Sequence, residues 1–132
     1  MFDALDIGAS ALKAQRARMD CIAGNLANMY TTHNEKGEPI PYRRRIAMFE
    51  AGASDGKPGV HVSSIEQDPS PFHMRYEPWN KDANKDGLVA YPNVDLAIES
   101  VNMLEASRAY EANITMMDTA KAMLNSSLRL IA

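Results

Sequence analysis

Asp82, Asn84, Asp86 and Gly87 spell D-x-N-x-D-G. This is the first half of a calcium loop, in which side-chain oxygens converge on the ion and the glycine permits a sharp turn. The pattern then stops, because the twelfth position, where a bidentate glutamate would close the loop, is Asn93. An Asn/Asp/Gly turn is the simpler reading, since these side chains bond their own backbone. His33, His61 and His73 stand 28 and 12 residues apart, without the i, i+4 spacing of a helical metal site and with no cysteine pairs nearby. Ser10, Ser63 and the sole cysteine, Cys21, lack a nucleophile-elbow or Cys-His context, so covalent catalysis has no signature. Arg43, Arg44 and Arg45 could contact phosphate, but no stacking aromatics are interleaved with them. Catalytic residues, cofactors and metal ligands are therefore not expected.

Composition points the same way. The 132 residues are 45% hydrophobic and 23% charged, with a formal net charge of -3, which suits one ordered domain and gives no general attraction to nucleic acid or an anionic membrane. No apolar run approaches the roughly 18 residues of a membrane span. The opening MFDALDIGAS lacks both a basic n-region and a continuous apolar h-region, so a cleavable secretory signal is not expected. Proteins are the expected partners, with neither nucleic acid nor membrane insertion.

The elements that must carry such contacts are at the two ends. From Phe2 to about Asn28 the chain is proline-free and rich in alanine and leucine, as a long helix requires. Leu5, Leu12, Met19 and Leu26 recur every seven residues, with Ile22 and Met29 three positions on, the pattern of a coiled-coil seam. Gly8 and Gln15 interrupt the second row, and Gly24 costs the helix about 1 kcal/mol relative to alanine. After Pro92, the segment 93–132 has neither proline nor glycine and carries Leu96, Met103, Tyr110, Met117, Leu124 and Ile131 at the same spacing. Asn93 or Asp95 can cap it, while Glu99 early and Arg129 late suit the helix dipole. A helix of roughly 36 residues within it is about 54 Å long, against a radius of gyration of about 14 Å for a compact domain of this size. Its apolar stripe exceeds what its own chain can cover.

Between these ends, residues 31–92 hold all seven prolines and five of the seven glycines. Strands are expected over Tyr42–Phe49 and Gly59–Ile65, forming a small hairpin-like insert. The expected fold is thus mainly α: two long terminal helices, 1–30 and 93–132, in a coiled-coil-like pair, with a small β- and loop-rich insert at 31–92. Asn25, Asn28 and Asn113 lie in or beside the stripes, where a paired amide sets register. Glu105, Arg108 and Glu111, three apart, are expected to pair along one helix face.

These residues carry a resemblance. The stretch SALKAQRARMDCIAGNLANMYTT (Ser10 to Thr32), with NLAN at Asn25 to Asn28, resembles the opening helix of the flagellar basal-body rod protein family. The block GLVAYPNVDLAIESVNMLEASRAYEANITMMDTAKAMLNSSL (Gly87 to Leu128), with LEASRAYEAN at Leu104 to Asn113, is similar to that family's closing helix. The segment DPSPFHMRYEPWNKDANKDGLVAYPNV (Asp68 to Val94) resembles the proximal-rod branch in particular. Met29 and Tyr30 depart from the family's Ala-Asn after NLAN.

The resemblance implies a subunit exported by the flagellar type III apparatus without cleavage and built into the torque-transmitting rod that crosses the periplasm. Its implied partners are copies of itself, other rod proteins, the export apparatus during secretion, and MS-ring or rod-base components. The terminal segments would form the inner helical layer and the insert would face outward. Asn25, Asn28, Arg108, Tyr110, Glu111 and Asn113 would belong to the assembly motif, with Arg108 and Glu111 forming ion pairs between subunits. The alternatives are a helical adaptor or export chaperone that never polymerises, a distal-rod or hook-type axial subunit, and a calcium-responsive module.

Overall fold

A computed structural model describes residues 2–132, apart from the side chain of Phe2. The order is α1 (Phe2–Ala27), β1 (Arg45–Ala51), β2 (Val60–Gln67), β3 (His73–Tyr76), β4 (Leu88–Tyr91) and α2 (Leu96–Ile131). The two helices run antiparallel. Gly8 lies against Met117, Arg18 reaches Glu105, Met19 meets Ser107 and Asn25 meets Glu99, so each step forward in α1 is a step back in α2. α1 also packs against β1 and β2, placing it between the long helix and the first hairpin.

α2 begins where its cap dictates. Asp95 is extended, and its Oδ1 accepts from the amides of Ala97 at 2.8 Å and Ile98 at 3.1 Å, which satisfies two of the helix's free donors. Asn93 has a different task, described below. α2 runs for 36 residues, the length the heptad spacing implies. α1 ends at Ala27, where the Asn28 side chain turns back to the Gly24 carbonyl at 2.8 Å.

The insert is two separate antiparallel hairpins, β1–β2 and β3–β4. β1 starts three residues later than the expected Tyr42, because the preceding backbone is already bonded elsewhere: the Tyr42 amide donates to Thr31 O and the Arg44 amide to Asn93 Oδ1. The register slips between Met48, opposite Ser64, and Phe49, opposite Val62, leaving Ser63 as a bulge that bends β2. β3 and β4 fall where only turns were expected. Each is four residues long and they flank the D-x-N-x-D-G run, too short for alternation to register.

That run is a turn. Asn84 Oδ1 accepts from the amides of Asp86 and Leu88, both at 2.9 Å, and Gly87 takes φ +75°. Asp82 Oδ1 lies 3.2 Å from His33 Nε2, tying the turn to the segment after α1.

Candidate assembly site

A polar clasp holds the insert to the helices. At its centre is Glu99, wholly buried in the first turn of α2. Its Oε1 accepts from Arg44 Nε at 2.6 Å and its Oε2 from Asn25 Nδ2 at 3.1 Å. Arg44 also reaches Asp68 Oδ2 at 3.2 Å. Asn25, buried in α1, spans the gap from the other side: its Nδ2 donates to Arg45 O, and its Oδ1 accepts from the Arg45 amide and the Tyr42 hydroxyl. Asn93, also buried, accepts from the Arg44 amide and donates to Asp68 O and Ser70 O. The helices and the first hairpin are thus joined by charge-assisted bonds centred on the buried Glu99 and Asn25, where such bonds are strong and a missing partner is costly.

The protonation behaviour follows from this geometry. Burial alone would lower the Arg44 pKa, but its bonds to Glu99 and Asp68 outweigh that and raise it. Asp68 is held below the ordinary carboxylate range, first by the hydroxyl and amide of Ser70 and then by Arg44, against opposing desolvation. Burial pushes up both the Cys21 thiol and the Tyr42 phenol, with Arg45 opposing in each case. Cys21 is therefore a protonated packing residue.

The basic trio, which the sequence offers only as a weak phosphate contact, is internal bracing. Arg43 donates to Asp68 O at 2.8 Å and Ser70 O at 2.9 Å, and lies 4.2 Å from the Phe72 ring centre. Arg45 lies 5.7 Å from the Tyr42 ring centre. The expected pairing of Glu105, Arg108 and Glu111 along α2 is not found. Glu105 instead meets Arg18 of α1 at 3.3 Å, while Arg108 and Glu111 are exposed.

The apolar rows divide by position. Ile22 is buried, and Leu5, Leu12, Met19 and Leu26 on α1 are half-buried, as are Met103, Tyr110, Met117 and Leu124 on α2. The deepest positions of α2 form a second row, three residues after the first: Glu99, Ala106 and Ala120 are buried, and Asn113 and Ser127 half-buried. Sequence reading did not assign this row, because small and polar residues give no hydrophobic period. The retrospective signal is that Ala106 and Ala120 stand fourteen residues apart, in phase with Glu99. Asn113 does not reach across to α1; its Nδ2 donates to the Ala109 carbonyl at 2.9 Å.

The remaining apolar surface is uncovered. Leu96, Ile98, Val101 and Leu104 are all exposed near the start of α2, and Leu128, Leu130 and Ile131 at its end, with Leu130 at 89% and Ile131 at 84%. With Gly8 opposite Met117, the first residues of α1 lie opposite those just beyond Ala120, so the last two turns of α2 project past their partner. Trp79, in the turn between β3 and β4, is 80% exposed. Exposed apolar side chains thus gather at both ends of α2, more than isolated surface hydrophobics would give. Among the described residues, no helix is long and apolar enough to cross a membrane, and no group of three His, Cys, Asp or Glu could hold a metal ion.

Comparison with known proteins covers both ends and then the whole. Residues 5–32 match the family described as flagella basal body rod protein. Residues 85–130 match the C-terminal family of flagellar basal body rod FlgEFG proteins. The chain is 40% identical to the flagellar basal-body rod protein FlgC of Bacillus subtilis, over 98% of this chain and 97% of that one. It is 39% identical to the protein of the same name in Salmonella typhimurium, over 98% and 97%, and 36% identical to that of Borreliella burgdorferi, over 99% and 97%.

Proposed function

This chain belongs to the FlgC family of flagellar basal-body rod proteins, and on that premise we propose that it is a structural subunit of the proximal rod, polymerising through its terminal helices into a torque-transmitting shaft. One observation carries the mechanism: α2 is longer than the partner α1 provides and leaves Leu96, Ile98, Val101, Leu128, Leu130 and Ile131 bare. Fully burying such a side chain is worth about 1.5–3 kcal/mol, so neighbours that cover the stripe gain most of the stabilisation still available.

The three-part division follows. Residues 1–30 and 93–132 form the axial core as a coiled-coil pair, and residues 31–92 stand outward, held by the Glu99 clasp. Assembly is heterologous and helical, the arrangement that yields an open axial structure. Arg108 and Glu111, exposed and without ion pairs among the described residues, supply charges for neighbouring copies or other rod proteins. The subunit is exported uncleaved by the flagellar type III apparatus, crosses extended, and completes its helices on docking in the periplasmic rod next to rod-base or MS-ring components. Coupling order to docking keeps the apolar stripe from aggregating early.

The deciding experiment images basal bodies isolated from a strain lacking the protein. A truncated or absent rod is expected, and a complete rod would contradict the assignment.

A further inference from the structure

The sequence holds two Asp-Gly pairs, at Asp55 with Gly56 and at Asp86 with Gly87, and the fold treats them differently. An aspartate followed by glycine can rearrange without an enzyme, because no Cβ shields the next amide nitrogen from the carboxyl and the backbone turns freely. We propose that Asp55, in the turn between β1 and β2, is a site of spontaneous isoaspartate formation, and that the rearrangement unseats this hairpin tip from α1. The Gly56 nitrogen attacks Cγ of the protonated Asp55 carboxyl. Water leaves, made from the carboxyl hydroxyl and the amide hydrogen, and a five-membered succinimide closes. Water then adds to one of the two ring carbonyls. Addition at Cγ restores aspartate. Addition at the main-chain carbonyl breaks its bond to the Gly56 nitrogen and leaves the main chain routed through Cβ and Cγ, with no net change in mass.

The two pairs differ in geometry. Asp55 Oδ1 accepts from the Lys57 amide at 3.3 Å, which curls the carboxyl back over the peptide it attacks. The Asp86 carboxyl makes no such bond among the described residues; there Asn84 Oδ1 takes the amides of Asp86 and Leu88. Gly56 is exposed, and a Cβ on it would meet nothing within 4 Å, so its backbone has room to rotate. Gly87 is buried against Tyr76 and Pro78. The Lys57 amide also holds the Asp55 carboxyl below its ordinary range, so the reactive acid is scarce near neutrality and the change is slow. Its protonated fraction rises about a hundredfold from pH 7 to pH 5, giving the reaction an acid-favoured rate.

The consequence lies next door. The tip is closed by Ala53 N donating to Lys57 O at 2.7 Å and Gly52 N to Gly59 O at 2.8 Å. Beyond it Gly59 presses on Ser10, and the Val60 amide donates to Ser10 Oγ at 3.1 Å. Among the described residues that is the one hydrogen bond from residues 51–62 to α1. An extra methylene in the main chain between Ala53 and Lys57 breaks the closure and loosens that seat.

The test incubates the purified full chain for weeks at pH 5 and at pH 7. Isoaspartate is located by electron-transfer fragmentation of its peptides and counted by labelled methyl transfer with an isoaspartyl methyltransferase. Expected are isoaspartate at residue 55 several-fold above that at residue 86, faster accumulation at pH 5, and none at residue 55 in Asp55→Glu, whose longer side chain does not close the five-membered ring. The aged fraction should also show faster amide exchange at Val60. Absence of isoaspartate at residue 55, an equal amount at residue 86, or a faster rate at pH 7 would overturn the site. Unchanged exchange at Val60 in the aged fraction would overturn the unseating.

Discussion

Glu99 shows how much a single carboxylate can organise. In the sequence it is one acidic residue in the first turn of a helix, where the dipole alone would explain it. In the structure it is the buried acceptor shared by Arg44 and Asn25. Nothing local distinguishes the two roles, because the donors stand 55 and 74 residues away. Removing one partner of a buried ion pair leaves the other uncompensated, so Glu99→Ala should lower unfolding stability by about 3–5 kcal/mol, read by urea denaturation. Asp68 gives the clasp its acid response. A carboxyl held below its unfolded value of about 3.9 contributes stability at higher pH that is lost as pH falls through the depressed value. The urea midpoint should therefore decline below pH 4, and Asp68→Asn should flatten that part of the decline while lowering the midpoint near neutrality.

At the scale of elements, α2 was legible almost completely, because a proline-free run with one large apolar residue in every seven allows little else. The cap narrowed from two candidates to Asp95, since Asn93 is drawn into the clasp. Asp95→Ala should cost about 0.5–2 kcal/mol and fray the first turn, visible as faster amide exchange at Ala97 and Ile98. The hairpins were less legible. β1 was displaced by bonds from Tyr42 and Arg44 to distant partners, and β3 and β4 were hidden by their brevity. α1 is shaped by close approach: a Cβ at Gly8 would sit 2.7 Å from Met117 Cγ. Gly8→Leu should accordingly destabilise the helix pair by about 1–3 kcal/mol, despite leucine's better helix propensity, measured by thermal unfolding of the purified subunit. The interrupted heptad at Gly8, a weakness when read along one strand of sequence, is the notch that lets the methionines of α2 in.

For the molecule as a whole, one end of α2 is fastened by the clasp and the other projects bare. Hydrogen exchange on a dilute, demonstrated monomer should show rapid exchange over residues 121–131 and slow exchange near Ala106; strong protection throughout both helices would sink the coupling of folding to docking. The family resemblance was legible from NLAN and LEASRAYEAN, whereas the clasp was not, since it joins residues from every third of the chain. That last fact bears on timing. A polypeptide that emerges amino end first presents Asn25 and Arg44 long before Glu99 exists to receive them. Asn25 can already hold the Arg45 backbone and the Tyr42 hydroxyl, but the clasp gains its buried acceptor only when three-quarters of the chain has appeared, and that closing residue belongs to the helix that completes the subunit. A fragment ending before α2 keeps the Asn25 bonds to the first hairpin but leaves the Arg44 guanidinium without its Glu99 partner.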